Sequence, residues 1–295
     1  MRAENGKRRS QNNMGCSSLP YQVPTQVALL TKHGKAQQLA PALAPLGIAL
    51  HVTEAFDTDN LGTFSGEVER TLSPLECAKK KARLACELSG LSAGLGSEGS
   101  FGGGPLPGLM NWDTEILVLH DAQRDIDIVA TAAGPVNLKT YQGQCLNELE
   151  AALKGAGDGQ AWILKTQQQI TKGIGDINSL KAVLDSQGLC DENSRLRERV
   201  DITPDLRAMY SPQRQAYIFQ AGQQLAERLQ TFCPACGLPD FWLRERVAGL
   251  PCSGCGAPTE LAKAYIRQCA HCNHQLNELT QPREADPYRC QWCNP

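Results

Sequence analysis

Short apolar runs alternate with amphipathic stretches between residues 26 and 230, and this change of period is the pattern of an α/β fold. "QVALLT" (26–31) and "GIALHVT" (47–53) read as buried strands, separated by a polar, helix-like stretch that Pro41 interrupts. "EILVLHD" (115–121) and "IDIVAT" (126–131) predict a hairpin joined by "AQRD", and "AWILKT" (161–166) predicts a further strand. The best-defined helix covers 74–89. Ser73 caps it, Pro74 occupies the first turn, and Glu76 stands three residues after the cap, which makes a capping box. Leu75, Ala78, Ala82, Ala85 and Cys86 form one apolar face and Cys77, Leu84 and Leu88 a second, so we expect cover on two sides. Gly90 stops it. Two more helices are expected: "SLKAVLDSQG" closed by Gly188, and 212–229, whose apolar face is Ile218, Ala221, Leu225 and Leu229.

A chain of 295 residues can bury a full core and divide into two domains. We expect a disordered basic tail (1–25), an α/β domain (26–230) and a small metal-binding domain (231–295). The tail carries Arg2, Lys7, Arg8 and Arg9 with no hydrophobic stretch after them, which is not a secretory signal; Met14 is an alternative start. Net charge is −2, so the composition supplies no global electrostatic case for nucleic acid or an anionic membrane. No apolar run approaches the ~20 residues that cross a bilayer. The expected location is cytoplasmic.

Thirteen cysteines change the picture, because eight of them form four Cys-x-x-Cys pairs in the last 63 residues. In a reducing compartment that pattern means zinc. The pairs are Cys233/Cys236, Cys252/Cys255, Cys269/Cys272 and Cys290/Cys293, followed by Gly237, Gly256, Asn273 and Asn294, the residue types that best tolerate a left-handed backbone. We expect two structural zinc ions in a tandem ribbon. Sequential pairing, Cys233–Cys236–Cys252–Cys255 and Cys269–Cys272–Cys290–Cys293, is the expected arrangement; spacing also admits an interleaved cross-brace. Closed four-thiolate sites have no open position for water, so they brace or bind and do no chemistry. Residues 231–295 carry six Lys/Arg and six Asp/Glu, and bound zinc adds about −2 per site, which argues against a nucleic-acid grip. Trp242, Tyr265 and Trp292 are expected to cover the small metal cores.

The stretch "GLSAGLGSEGSFGGG" (90–104) sets Glu98 among seven glycines, which suggests close approach to the backbone. Two readings apply: a ligand loop with one acid, or a solvated hairpin. Glu76 is, with Glu98, a candidate catalytic carboxylate, though the capping box already gives it a structural role. Lys81 points away from the Lys80 stripe, either snorkelling or aimed at an anion. Glu67 and Arg70 in "DNLGTFSGEVER" could hold magnesium or clamp phosphate, or simply be solvated. Asp205, Arg207 and Arg214 in "DLRAMYSPQR" make a candidate anion site at a helix start. His33 and His120 read as structural.

A strand entering "LLTKHGK", then "SPLECAKKKARLACELSGL", then "GLGSEG" resembles the inosine/xanthosine triphosphate pyrophosphatases over roughly residues 26–135. The resemblance implies a mixed-sheet nucleotide-pyrophosphatase-like domain that hydrolyses non-standard nucleoside triphosphates with magnesium. On it, Thr31 and Lys35 match the phosphate- and base-binding turn, Glu76, Ala78, Lys81 and Ala82 the helix motif, and Glu98 and Gly99 the magnesium-holding loop. Lys32-His33 and Cys77 stand where that family has asparagines. The segments "GTFSGEVER", "GSEGSFG" and "DLRAMYSPQR" with the terminal cysteines also resemble an uncharacterised bacterial family of unknown function. The sequence therefore leads to a nucleotide-phosphate hydrolase or binder with a zinc tail. The rival is a non-catalytic adaptor whose zinc tail binds a protein partner.

Overall fold

The computed structural model describes residues 20–56 and 71–295, except 103, 108, 156, 157, 168, 192 and 194. Glu67 and Arg70, the motif around them, and most of the expected basic tail lie outside the described residues. The described residues divide into two compact units, Val23–Gln230 and Thr231–Pro295, the latter together with residues 20–22.

The first unit begins with β1 (Gln26–Leu30), α1 (Ala36–Leu43), β2 (Ala49–Thr53) and α2 (Pro74–Ser89), followed by β3 (Ala93–Gly102), β4 (Trp112–Asp121) and β5 (Ile126–Pro135). The five strands form one mixed sheet in the order β2-β1-β3-β4-β5. β1 runs parallel to β2 and β3, and β3, β4 and β5 are antiparallel. The chain then builds a second, antiparallel sheet from β6 (Tyr141–Cys145), β7 (Trp162–Lys165), β8 (Ile170–Ile174) and β9 (Arg195–Pro204), with α3 (Leu146–Lys154) and α4 (Ile177–Ser186). This sheet has its own core around Trp162, Leu164, Leu180, Leu184, Val200 and Ile202. Helix α5 (Pro212–Gln230) then returns to the first sheet.

Strand alternation decides which helix covers which face. Val27, Leu29, Leu95, Leu117, Leu119, Ile128 and Ala130 point to the face covered by α1 and α5, through Leu39, Leu43, Ile218, Ala221 and Leu225. Ala28, Leu30 and Val118 point to the opposite face, against Ala78, Ala82 and Ala85 of α2. The connection from β1 to β2 thus passes over one face and that from β2 to β3 over the other. α2 has the expected capping box and a left-handed Gly90 at its end. Its cover is one-sided, however: Leu75 and Leu88 are exposed, and the buried set is Cys77, Ala78, Ala82, Ala85 and Cys86. Small residues predominate there because the helix lies directly on strand backbone.

The glycine-rich stretch is the middle of that contact, so the expected loop is a strand. A Cβ at Gly94 would lie 2.8 Å from Cys86 Sγ and nearer still to the Ala82 carbonyl. One at Gly96 would lie 2.7 Å from Ala82 N and nearer still to the Ala78 carbonyl. The element that approaches the bare backbone is α2. Among the described residues, no helix is long and apolar enough to cross a membrane.

The second unit is a three-stranded antiparallel meander of β10 (Phe241–Ala248), β11 (Ala262–Cys269) and β12 (Gln275–Leu279). A cysteine pair precedes β10, the next lies between β10 and β11, the third joins β11 to β12, and the last follows β12.

Candidate functional site

β1 ends at Leu30 while its neighbour β3 runs on to Gly102, which leaves the second half of β3 without a parallel partner. The connection that leaves the carboxyl end of β1 passes over one face and the one that leaves β2 over the other, so the carboxyl end of β1 is the kind of position at which open α/β sheets hold ligands. Lys35 enters here from the turn after β1, its ammonium donating to Ser97 Oγ at 2.9 Å. On the α2 face, Lys81 donates to Glu98 Oε1, and the Cys77 thiol donates to the same oxygen at 3.1 Å. On the α5 face, Arg214 pairs with Glu115 and donates to the Leu206 carbonyl at 2.6 Å, with its guanidinium over the Phe101 ring. Lys35 also lies 3.6 Å from Glu115 Oε2. Gly99 is required by this packing, because a Cβ there would lie 2.5 Å from Arg214 Nη2.

Three cations and three carboxylates therefore line the end of β3. Burial pulls the Lys35 ammonium down to about 8, against the opposing pull of Glu115. Glu98 is held at about 2: burial pushes it up, but Lys81, Lys35 and the hydrogen bonds from Lys81 and Cys77 outweigh that. Asp113 is pushed up to about 7, first by burial and then by Glu115. It is fully buried, and neither of its carboxylate oxygens has a hydrogen-bond partner of normal geometry among the described residues.

The structure thus brings Lys35, Gly99 and Arg214 together on the α5 face of β3, sets Lys81 with Glu98 on the α2 face within electrostatic reach of Lys35, and gives the other candidates partners of their own. Thr31 is buried at the end of β1, where its Oγ1 faces the His33 N–H at 3.4 Å. Glu76 is exposed and spends its carboxylate on the Ser73 N–H and hydroxyl. Arg207 forks onto Asp205 (2.7–3.2 Å) and stacks on Tyr210, while Asp205 also accepts from the Gly173 N–H. That pair ties β8 to the approach to α5 and flanks Leu206, whose carbonyl accepts from Arg214. His120 bonds Asp127 at 2.9 Å beneath α2. Asp113 and Glu115 were missed. Their signal is the phase of "WDTEILVLHD": both acids stand in register with Leu117 and Leu119, the inward positions of β4.

The second unit contains two cysteine quartets, and the pairing is interleaved, which corrects the sequential expectation. Cys233, Cys236, Cys269 and Cys272 form one group and Cys252, Cys255, Cys290 and Cys293 the other. The meander explains it. Phe241 pairs with Cys269 and Ala248 with Ala262, so one strand length separates each cysteine pair from the next. Alternate pairs meet at the same end. The sulfurs of Cys233 and Cys272 are 3.7 Å apart, those of Cys236 and Cys269 3.6 Å, Cys252 and Cys293 3.8 Å, and Cys255 and Cys290 3.6 Å. Four sulfurs at ~2.3 Å from one ion have edges of about 3.8 Å, whereas a disulfide needs ~2.05 Å. Each quartet could hold one metal ion, and the donor set is consistent with zinc. Gly237, Gly256 and Asn273 are left-handed as expected; Asn294 is not. Trp292 is 79% exposed, so it does not cover a metal core. His271 and His274 are half-buried and belong to neither quartet.

Magnesium finds no comparable donor set. Among the described residues the cysteine quartets are the groups of three or more metal-ligating side chains, and Glu98 is engaged by Lys81 and Cys77. No curated protein and no solved structure matches this chain, so the pyrophosphatase resemblance has no support from either comparison. A family model described as a domain of unknown function (DUF6671) matches residues 81–295, a span that includes Lys81, Glu98, Asp113, Glu115, Arg214 and all eight paired cysteines. That match covers well over half of the sequence, and the chain belongs to this family.

Proposed function

We propose that the Val23–Gln230 unit binds the phosphate groups of a nucleotide at the carboxyl end of β1 and β3, with Lys35, Lys81 and Arg214 as the anion-facing cations. The observation that carries this reading is that Lys35 and Lys81, 46 positions apart in sequence, bond the adjacent β3 residues Ser97 and Glu98 beside the end of β1 and feel one another's charge. Ion pairs of this kind hold long cationic side chains in place until an anion competes for them. A phosphate oxygen that takes Lys81 from Glu98 would release a carboxylate beside the ligand, a suitable group for orienting water in hydrolysis. No step is routed through magnesium, because the described residues do not form a site for it. The test is a thermal-shift and calorimetric panel of nucleoside triphosphates, inosine and xanthosine forms included, with pyrophosphate release read in parallel. Binding by the wild type and at least tenfold weaker binding by Lys81→Met are expected. Equal behaviour of the two proteins, or no binding at all, refutes the reading.

The two cysteine quartets are read as structural zinc sites that fold the second unit, for which metal analysis should give about two zinc ions per chain. A second reading belongs to this unit alone. Tyr288 and Trp292 are 81% and 79% exposed around the last cysteine pair, and exposed aromatics of this kind are frequent anchors for protein partners. An adaptor role predicts that a partner captured by the wild-type chain is lost on Trp292→Ala while zinc content is unchanged; retention overturns it.

A further inference from the structure

We propose that Asp113 is the proton-carrying group of the β3 crevice: protonated, it leaves three cations facing two carboxylates, and binding of a phosphate ligand there takes up a proton. The inference rests on reading the crevice as a phosphate site.

The geometry comes from strand phase. Asp113 and Glu115 are two residues apart on β4 and point to the same face of the sheet. Arg214 and Lys35 both address Glu115, which leaves Asp113 without a cation of its own. Across the sheet it faces Phe101 on β3 and Gly134 on β5, neither of which carries charge. From α5 it meets Arg214 and Tyr217, and the Tyr217 hydroxyl is already donated to the Pro135 carbonyl at 2.9 Å. From the turn before α1 it feels Lys35, and on its own strand it feels Glu115. A fully buried carboxylate with no side-chain hydrogen bond among the described residues, its charge favoured only by the shared Arg214 and Lys35 and by the neighbouring Thr114 N–H, is costly, whereas a neutral carboxyl is much less so. The same burial places its titration at about 7, within the working range of a cell.

The consequence is electrostatic. With Asp113 ionised, Lys35, Lys81 and Arg214 are balanced by Glu98, Glu115 and Asp113. With Asp113 neutral the group carries one net positive charge and attracts an anion. One unit charge roughly 7 Å from a ligand charge, at an effective dielectric of about 20, alters affinity about 50-fold. Lys35 acts in the same direction at higher pH, since its ammonium titrates at about 8.

The experiment titrates the full-length, zinc-loaded protein with adenosine triphosphate at pH 6, 7, 8 and 9, for the wild type and Asp113→Asn. Subtracting the variant removes the nucleotide's own protonation and the Lys35 contribution. The wild type should bind like the variant at pH 6 and about 50-fold more weakly at pH 9. A second measurement binds sulfate, which does not titrate in this range, to both proteins in two buffers of different ionisation heat at pH 7.5, and reads the proton uptake of the wild type in excess of that of Asp113→Asn. An excess of a substantial fraction of a proton supports the proposal. Binding whose pH dependence is the same in both proteins, or sulfate binding without that excess, overturns it and leaves the phosphate site standing. Absence of binding at every pH removes both.

Discussion

Gly96→Ala is the sharpest test of the packing that positions the crevice. A Cβ at this position would lie 2.7 Å from Ala82 N and 2.9 Å from Ala78 C, and closer still to the Ala78 carbonyl oxygen. Ordinary contact between such atoms is about 3.5 Å, so α2 must retreat by about 1 Å or more. Both neighbours are helix backbone and cannot rotate aside. Overpacking of this kind costs about 1–3 kcal/mol and sometimes more. The retreat also lifts Ala78, Ala82 and Ala85 from Leu30 and Val118, while the lower entropy of an unfolded alanine returns up to about 1 kcal/mol. We expect a net loss of about 3 kcal/mol, equivalent to about 6–12 °C for a unit of this size. The assay is urea unfolding followed by circular dichroism, with Gly102→Ala as control. Gly102 lies on the same strand, and a Cβ there would have nothing within 4 Å. It should change stability by less than about 0.5 kcal/mol. If the two variants were equally stable, α2 would not be seated on β3, and the meeting of Lys81 with Glu98 would lose its foundation.

Three other predictions follow from single contacts. The double variant Cys233→Ser with Cys272→Ser removes ligands from one interleaved quartet and should retain about one zinc per chain by metal analysis; sequential sites would both be damaged and retain almost none. Glu98 is held at about 2 in the folded chain against an ordinary 4.5, so it adds stability above pH 4.5 that is lost as pH falls toward 2. Glu98→Gln should therefore unfold at lower urea than the wild type at pH 7 and lose that difference near pH 2. Glu76→Gln should lower the thermal midpoint only slightly, because the cap is exposed to solvent, and leave nucleotide binding unchanged; a binding loss would return Glu76 to the site.

Legibility followed range. The capping box of α2, the buried β1 and the β4–β5 hairpin are local events set by a few adjacent residues, and the sequence predicts them well. β2 forms where expected but as an exposed edge strand, with Val52 half exposed, because its place in the sheet is set by the fold and not by its own apolar run. Gly94 and Gly96 were legible as close approach, but not as approach by a helix, because the approaching surface is brought round from residues 78–82 by the fold. The interleaved quartets had the same difficulty. Four Cys-x-x-Cys pairs fix the ligands, yet their partners depend on a meander whose short, half-exposed strands carry little alternation. The second sheet was missed for a related reason: β6, β8 and the start of β9 mix polar and apolar residues without a steady period. Asp113 and Glu115 were readable from strand phase alone, since acids in register with Leu117 and Leu119 must point inward.

A buried group of six charges is weak evidence for stability, since well-packed apolar side chains of similar volume usually do as well or better. Here the fold makes concessions to keep it. Gly99 stays bare so that Arg214 can reach Glu115, and β1 stops so that Lys35 can turn in over Ser97. Glu115 serves two cations while Asp113 has none. A network built only to hold the sheet together would have matched each acid with its own base, or dispensed with Asp113 altogether. The mismatch is concentrated beside the carboxyl end of β1, the kind of strand end at which open α/β sheets hold ligands. Perturbed, incompletely paired groups at such a place are what a site that changes its charge with its occupancy requires.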